Sequence, residues 1–158
     1  MDGAFITTPL KMEIIKEPNK ILHGKATRIN LVTPAIKALI LDMKKNMIAS
    51  NGVGLAANQV GSDLCIFVID KKLAGENNVP DVYINPEILE YSQESLALEE
   101  GCLSLPNFWP QIKRAKKVRL KALDENGNKI KIKARGFLAR VFQHEIDHLN
   151  GLLINNRT

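Results

Sequence analysis

The apolar positions of the chain fall into three kinds of pattern, and each predicts a different element. From Thr33 to Ser50, Ile36, Leu39, Ile40, Met43 and Met47 recur at helical spacing, while Lys37, Asp42, Lys44 and Lys45 take the other face. Thr33 supplies an N-cap and Pro34 the first helical position; Asn51-Gly52 marks the stop, where glycine can adopt the left-handed cap. The run Leu64 to Ile69 (LCIFVI) is continuously apolar and β-branched, which predicts a buried strand. Residues 116 to 135 alternate instead: Val118, Leu120 and Ala122, then Ile130, Ile132 and Ala134, are interleaved with charges, with a turn at Asp124–Asn128. That pattern predicts a hairpin. A last helix is expected from about Phe137 to Asn150, capped by Gly151. Lys71 to Pro80 reads as a polar loop, and Val82-Tyr83-Ile84 as a short strand that Asn85-Pro86 ends. Residues 1–11 lack periodicity and read as a loose leader, with Met12 as an alternative start.

Composition narrows the class. No internal repeat or low-complexity tract interrupts the chain, and 158 residues suit a single domain over residues 1–158. Hydrophobic residues at 45% and charged residues at 25% exclude a disordered chain, and no apolar run approaches the roughly 20 residues of a bilayer span. Two cysteines, Cys65 and Cys102, are too few for a disulfide framework. The N-terminal stretch has an early acid and no basic segment leading into an apolar one, so a reducing cytoplasm is the expected setting. The net charge of +5 is mild, and aromatics at 5% are poor material for base stacking, which argues against sequence-specific nucleic-acid binding. The hairpin nevertheless collects Lys117, Arg119, Lys121, Lys129, Lys131, Lys133 and Arg135 on its outward face. Such a row either keeps a sheet edge solvated or meets an RNA-rich partner.

The strongest chemical signal is His144-Glu145-Ile146-Asp147-His148 within the last helix. Positions i and i+4 lie about 40° apart around a helix and one turn apart along it, so two imidazoles can share one metal ion. The adjacent glutamate is close enough to handle a proton on the attacking water. Two histidines do not complete a site. Position 154, where one extended form of the motif would place a third histidine, is Ile154, and only four residues follow it. The third ligand therefore comes from upstream, with His23, Cys65, Cys102 and several carboxylates as candidates. Cys65 lies in an apolar strand and reads as an inert thiol. Cys102, in the Gly- and Pro-flanked stretch EEGCLSLP, can turn toward a metal and is the favoured choice.

Three segments in this order, GVGLAANQ (52–59), EGCLS (100–104) and QHEIDHLNG (143–151), resemble the peptide deformylases, and the likeness spans roughly residues 12 to 153. The resemblance implies an α+β fold, a mixed and largely antiparallel sheet around a central helix that carries the metal. It implies one divalent ion, Fe(II) natively with Zn(II), Ni(II) or Co(II) as substitutes, on Cys102, His144 and His148. Glu145 would carry the proton, and Gln59 with the Leu103 N–H would stabilise the oxyanion as the formyl group leaves N-formylmethionyl nascent peptides as formate. Val53, Leu98, Phe137 and Val141 would hold the methionine side chain, while Gly52 and Gly101 pair with the substrate backbone and Gly54 allows its close approach. Trp109 departs from the arginine that many bacterial members carry there. The chain also stops without their basic C-terminal helix, as in phage-encoded or otherwise minimal members. Ribosome docking would then fall to the basic hairpin. Two rival readings use the same motif: a small peptidase, and a catalytically silent metal protein.

Overall fold

The computed structural model describes residues 13–158; the leader expected over residues 1–11 and the start at Met12 lie outside the described residues. In chain order the elements are α1 (Pro34–Ala49), β1 (Gly54–Ala56), β2 (Ile66–Ile69), α2 (Lys71–Glu76), β3 (Val82–Tyr91), β4 (Ser95–Glu99), β5 (Gln111–Ala115), β6 (Lys117–Leu123), β7 (Lys129–Arg135) and α3 (Gly136–Leu149). Five strands form one sheet in the order β1-β2-β3-β6-β7, and β4 pairs with β5 in a separate ribbon. Every strand pair is antiparallel. The expected α+β architecture around a central C-terminal helix is present.

The two hydrophobic patterns of the strands follow from what covers them. Phe67 and Ile69 of β2 pack with Leu138, Val141, Phe142 and Ile146 of α3. Ile66 and Val68, on the opposite face, pack with Ile40, Met43 and Met47 of α1. A strand covered on both sides has no polar face, hence the unbroken LCIFVI run. In β6, by contrast, Val118, Leu120 and Ala122 are buried while Lys117, Arg119 and Lys121 are exposed. The rings of Phe67, Tyr83 and Phe142 meet at centroid distances of 4.8, 4.9 and 5.8 Å where the sheet meets α3. Each such pair adds about 1 kcal/mol beyond its buried area.

Several boundaries differ from expectation. Thr33 caps α1 by accepting from the Ile36 amide at 3.2 Å, as expected. The left-handed residue after α1, however, is Asn51 (φ 55°), not Gly52. The loop expected over 71–80 contains α2, because Asp70 accepts from the Leu73 amide and Leu73 and Ala74 are buried. Asn85-Pro86 does not end β3. Asn85 takes a positive φ of 50° at a register shift, and the strand continues to Tyr91 alongside β6. The Asn85 side chain accepts from the Ile29 amide at 2.8 Å and donates to the Ile29 carbonyl at 2.7 Å, so this bulge is hydrogen-bonded rather than broken.

Gly151 ends α3 with φ 77°, and a Cβ there would lie 2.4 Å from the His23 carbonyl oxygen. Gly75, inside α2, has nothing within 4 Å of such a Cβ. Gly151→Ala should therefore cost about 2 kcal/mol or more, because both the backbone conformation and a rigid neighbour oppose it. Gly75→Ala should be neutral or stabilise by up to about 1 kcal/mol. Urea unfolding of the two variants checks the contrast.

Candidate active site

Helix α3 is buried along nearly its whole length, and much of what it buries is polar: Arg140, Gln143, Glu145, Asp147 and His148 are all below 9% exposed. Each of these needs a partner, and the partners build the site. One helical turn brings His144 Nε2 and His148 Nε2 to 3.2 Å. Cys102, in the tight turn after β4 where the Leu105 amide donates to the Cys102 carbonyl, brings its Sγ to 3.4 Å from His148 Nε2. The three donor atoms lie within 4.8 Å of one another.

Their orientation is set by a buried ionic network. Glu100 Oε1 accepts from His144 Nδ1 at 2.9 Å, and the same carboxylate accepts from Arg114 Nε and Nη2 and from Arg140 Nη1. Arg114 Nη1 also donates to Asp147 at 2.5 Å, and Arg157 closes the other side of Asp147 with Nη2 at 2.7 Å. Burial alone would raise the Glu100 carboxyl, but the hydrogen bonds from His144 and Arg114 hold it down at about 2. Burial and the positive side chains around it push His148 well below its ordinary value, which keeps a lone pair on the ring.

Glu145 is 3% exposed and its Oε2 has no hydrogen-bond partner among the described residues. Burial pushes its carboxyl up to about 7, against the pull of His144 and Arg114. A Cβ on Gly54 would meet Glu145 Oε1 at 2.6 Å, so a larger residue there would push this carboxylate aside. Gln59 is 2% exposed. Its Oε1 accepts from the Ala56 amide at 3.0 Å, and its Nε2 donates to Ser104 Oγ at 3.1 Å with Cys102 Sγ 3.9 Å away. The Gly101 and Leu103 amides donate to no protein acceptor among the described residues.

These groups line a cleft of about 1030 Å³. Gly52, Val53 and Gly54 form one wall, Gly101, Cys102 and Leu103 another, and Phe137, Val141, His144 and Glu145 of α3 a third. Val141 is buried, whereas Val53 and Phe137 stand about half exposed. Leu98 is not among the lining residues; it sits on β4, 46% exposed. Cys65 is buried in the core of the sheet, and His23 pairs with Glu17 at 2.7 Å at the surface, so neither joins the cluster. Sequence reasoning left Glu100, Ser104, Arg114, Arg140 and Asp147 unassigned. One signal was available: Arg114 alternates with Ile112 on the buried side of β5, an inward position that a solvated charge would not take.

Known proteins share this arrangement. A sequence model of the family described as polypeptide deformylase matches residues 11–158. The chain belongs to that family. It is 49% identical over 146 residues to a peptide deformylase of Dictyoglomus turgidum, covering 92% of each chain. It is 46% identical to one of Thermodesulfovibrio yellowstonii over 90% of this chain and 86% of that one. The peptide deformylase of Thermotoga maritima superposes with a TM-score of 0.86 at 39% identity, over 92% of this chain and 96% of that one. The Ehrlichia chaffeensis peptide deformylase in complex with actinonin gives a TM-score of 0.86 at 40% identity, over 93% of this chain and 88% of that one. Enzymes of this family are metal-dependent hydrolases that remove the formyl group from N-terminal methionine, and this chain is one of them. No helix among the described residues is long and apolar enough to cross a membrane.

The depressed Glu100 carboxyl has a consequence for stability against pH. A carboxyl held at about 2 when folded, against an ordinary 4.5, stabilises the folded chain above pH 4.5 and loses that contribution as pH falls toward 2. Glu100→Gln should remove this part of the pH dependence and cost about 3 kcal/mol at neutral pH, because Arg114 and Arg140 stay buried with a weaker partner. Urea unfolding between pH 2 and 7 measures both effects.

Proposed function

We propose that this cleft hydrolyses the formyl amide of N-formylmethionyl nascent peptides, with Cys102, His144 and His148 as the metal ligands and Glu145 as the proton carrier. The observation that carries the reading is the convergence of three donor atoms within 4.8 Å beside a buried carboxylate with one unpartnered oxygen. The donors suit a divalent ion. His144 Nδ1 donates to the Glu100 carboxylate; against the lowering effect of burial, Cys102 and Glu100 raise the ring to about 10, so the second proton must leave Nε2 before its lone pair can hold an ion. Two imidazoles and a thiolate are borderline-soft donors that accept Fe(II), Zn(II), Ni(II) or Co(II); Fe(II) is the proposed native ion. When bound, the ion supplies Lewis-acid activation of the formyl group and of the attacking water.

The chain's own groups do the rest. Glu145 takes a proton from the water and delivers it to the leaving amine nitrogen; a carboxyl near pKa 7 serves both transfers. The Gln59 side-chain amide and the Leu103 N–H stabilise the oxyanion. Gly52 and Gly101 offer backbone groups to an extended substrate, a strand-addition mode, and Gly54 leaves room for it beside Glu145. Val53, Phe137 and Val141 receive the methionine side chain, without Leu98, which lies outside the cleft. Formate and a free N-terminal methionine are the products. The catalytic unit in this reading is the whole chain, residues 1–158, working in the cytoplasm.

Ribosome docking through the hairpin belongs to the same proposal, and strand register supports it. Lys117 stands opposite Arg135, Arg119 opposite Lys133 and Lys121 opposite Lys131. Directly opposed like charges cost stability. Glu90 pairs with Arg119 at 3.2 Å and Glu87 with Lys121 at 3.5 Å, which offsets two of these cations. A phosphate backbone would neutralise the remainder without reading base sequence.

Anaerobically purified protein loaded with Fe(II) or Ni(II) should release formate from a short formyl-Met peptide. Glu145→Gln should keep the metal and lose at least about 100-fold in turnover, since only the proton carrier is removed; undiminished turnover would overturn the mechanism. Metal analysis of two cysteine variants tests the ligand set. Cys102→Ala should lose the ion, whereas Cys65→Ala should retain it and cost on the order of 1 kcal/mol of stability. Equal loss in both would exclude Cys102 as the third ligand.

A further inference from the structure

Asn58 stands one residue before Gln59 in the short helical turn Ala57–Val60 and is buried. Its Nδ2 donates to the His148 carbonyl at 2.6 Å. Among the described residues this is the only hydrogen bond that joins the turn to α3. The end of the helix does not need it. In the last turn of α3 the Leu152 amide donates to the Asp147 carbonyl, and the His148 carbonyl already accepts from the Gly151 amide at 3.0 Å. Nor does the bond satisfy Asn58, whose Oδ1 is buried with no partner among the described residues. A half-satisfied amide fills a core position less favourably than an apolar side chain would. What the bond supplies is a fixed distance between two elements.

The other bonds of Gln59 lead elsewhere. Its carbonyl accepts from the Ile15 amide at 2.7 Å, and its side chain bonds the Ala56 amide and Ser104 Oγ, which itself donates to the Ile15 carbonyl at 2.6 Å. These contacts tie Gln59 to the N-terminal segment and to the loop of Cys102. None ties it to the helix that carries His144, Glu145 and His148. On that helix His144 is oriented by Glu100, whereas His148 Nδ1 has no partner among the described residues. The proposed oxyanion donor and one metal ligand are thus separated by one peptide unit, one side-chain amide and one hydrogen bond. Register matters here, because a donor stabilises a developing charge only when it is held at hydrogen-bond distance from it.

We propose that Asn58 is a positioning residue: its bond to the His148 carbonyl holds the Gln59 amide in register with the metal ligands. The inference rests on the deformylase reading of the cleft. Asn58→Leu keeps the branching of the side chain and removes the donor, and Asn58→Ala removes both. Both variants should fold, since the Gly151 amide still serves the His148 carbonyl. In the metal-loaded full chain each should lower kcat for a short formyl-Met peptide about tenfold, with KM within about twofold of wild type. In a Gln59→Ala background Asn58→Leu should cost little more, because the group it positions is gone. Bound metal should stay at the wild-type level in Asn58→Leu, while the Gln59 side-chain amide resonance of the isotope-labelled Zn(II) protein should shift. Wild-type kcat in Asn58→Leu would overturn the inference, since the amide would then only fill space. So would losses that multiply in the double variant, or loss of metal from Asn58→Leu, which would make His148 rather than Gln59 the group the bond holds. Absence of formate with the wild-type chain would instead overturn the deformylase reading, and the inference with it.

Discussion

The buried carboxylate of Glu100 is the constraint on which the rest of the site depends. It lies where three parts of the chain meet: the end of β4, Arg114 of β5, and α3, where Arg140 and His144 stand one helical turn apart. Two arginines are more than one carboxylate can balance, and Asp147 supplies the second negative charge through Arg114 and Arg157. The result is a cluster of two carboxylates and three guanidiniums in which every member is below 9% exposed except Arg157 and His144. Removing Glu100 leaves the buried Arg140 without its carboxylate and Arg114 with only Asp147, which costs several kcal/mol. The ribbon β4–β5 is therefore locked to α3 by ionic hydrogen bonds, where the main sheet is locked to it by apolar packing. Gln143 adds a second clamp, since its amide accepts from and donates to the backbone of Ala115 at the end of β5.

This arrangement explains why Cys102 can lie on a loop and still be well placed. Residues 100 and 110 are joined through their backbones, and Glu100 is held from three directions, so the turn that presents Cys102 has both ends fixed. On the other side, Asn58 donates to the His148 carbonyl at 2.6 Å and Ser104 links Gln59 to the Ile15 carbonyl. Of the two imidazoles only His144 is oriented by a group outside the cluster, through Nδ1 on Glu100; His148 Nδ1 has no partner among the described residues, and Asn58 fixes the backbone of His148 rather than its ring.

How much of this was legible in the sequence depends on what each residue packs against. Helices α1 and α3 and the hairpin β6–β7 announce themselves by an apolar stripe or alternation, and strand β2 by an unbroken apolar run that is covered on both faces. The continuation of β3 past Asn85-Pro86 was hidden because a bulge with a left-handed asparagine resembles a turn in sequence. The ribbon β4–β5 was hidden for a different reason: Leu96 and Leu98 point to solvent and the inward position of β5 holds an arginine. Patterning arguments assume that inward means apolar, and this ribbon violates that assumption. The same violation concealed the network around the site. The motif residues His144, Glu145 and His148 could be read from helical spacing, while Arg114 and Arg140 looked like ordinary surface charges until the fold buried them.

A polar interior of this kind is a poor route to stability. Apolar residues of similar volume in place of Glu100, Arg114 and Asp147 would leave no desolvated charge and could make a tighter core. What such a core could not do is fix the tautomer and tilt of His144. With no acceptor at Nδ1 the ring proton could sit on either nitrogen, and the Nε2 lone pair facing His148 and Cys102 would be present only part of the time. The network also keeps negative charge close to Glu145 without touching it. Glu100 and Asp147 oppose its ionisation while Arg114 and His144 favour it, and burial tips the sum toward a carboxyl near 7. A carboxyl in balance between its two protonation states is what a group that must both take and give a proton requires. The cost of burying the arginines and carboxylates is thus tied to function: it sets the orientation of one ligand, beside a neighbour whose proton affinity is raised chiefly by its own burial.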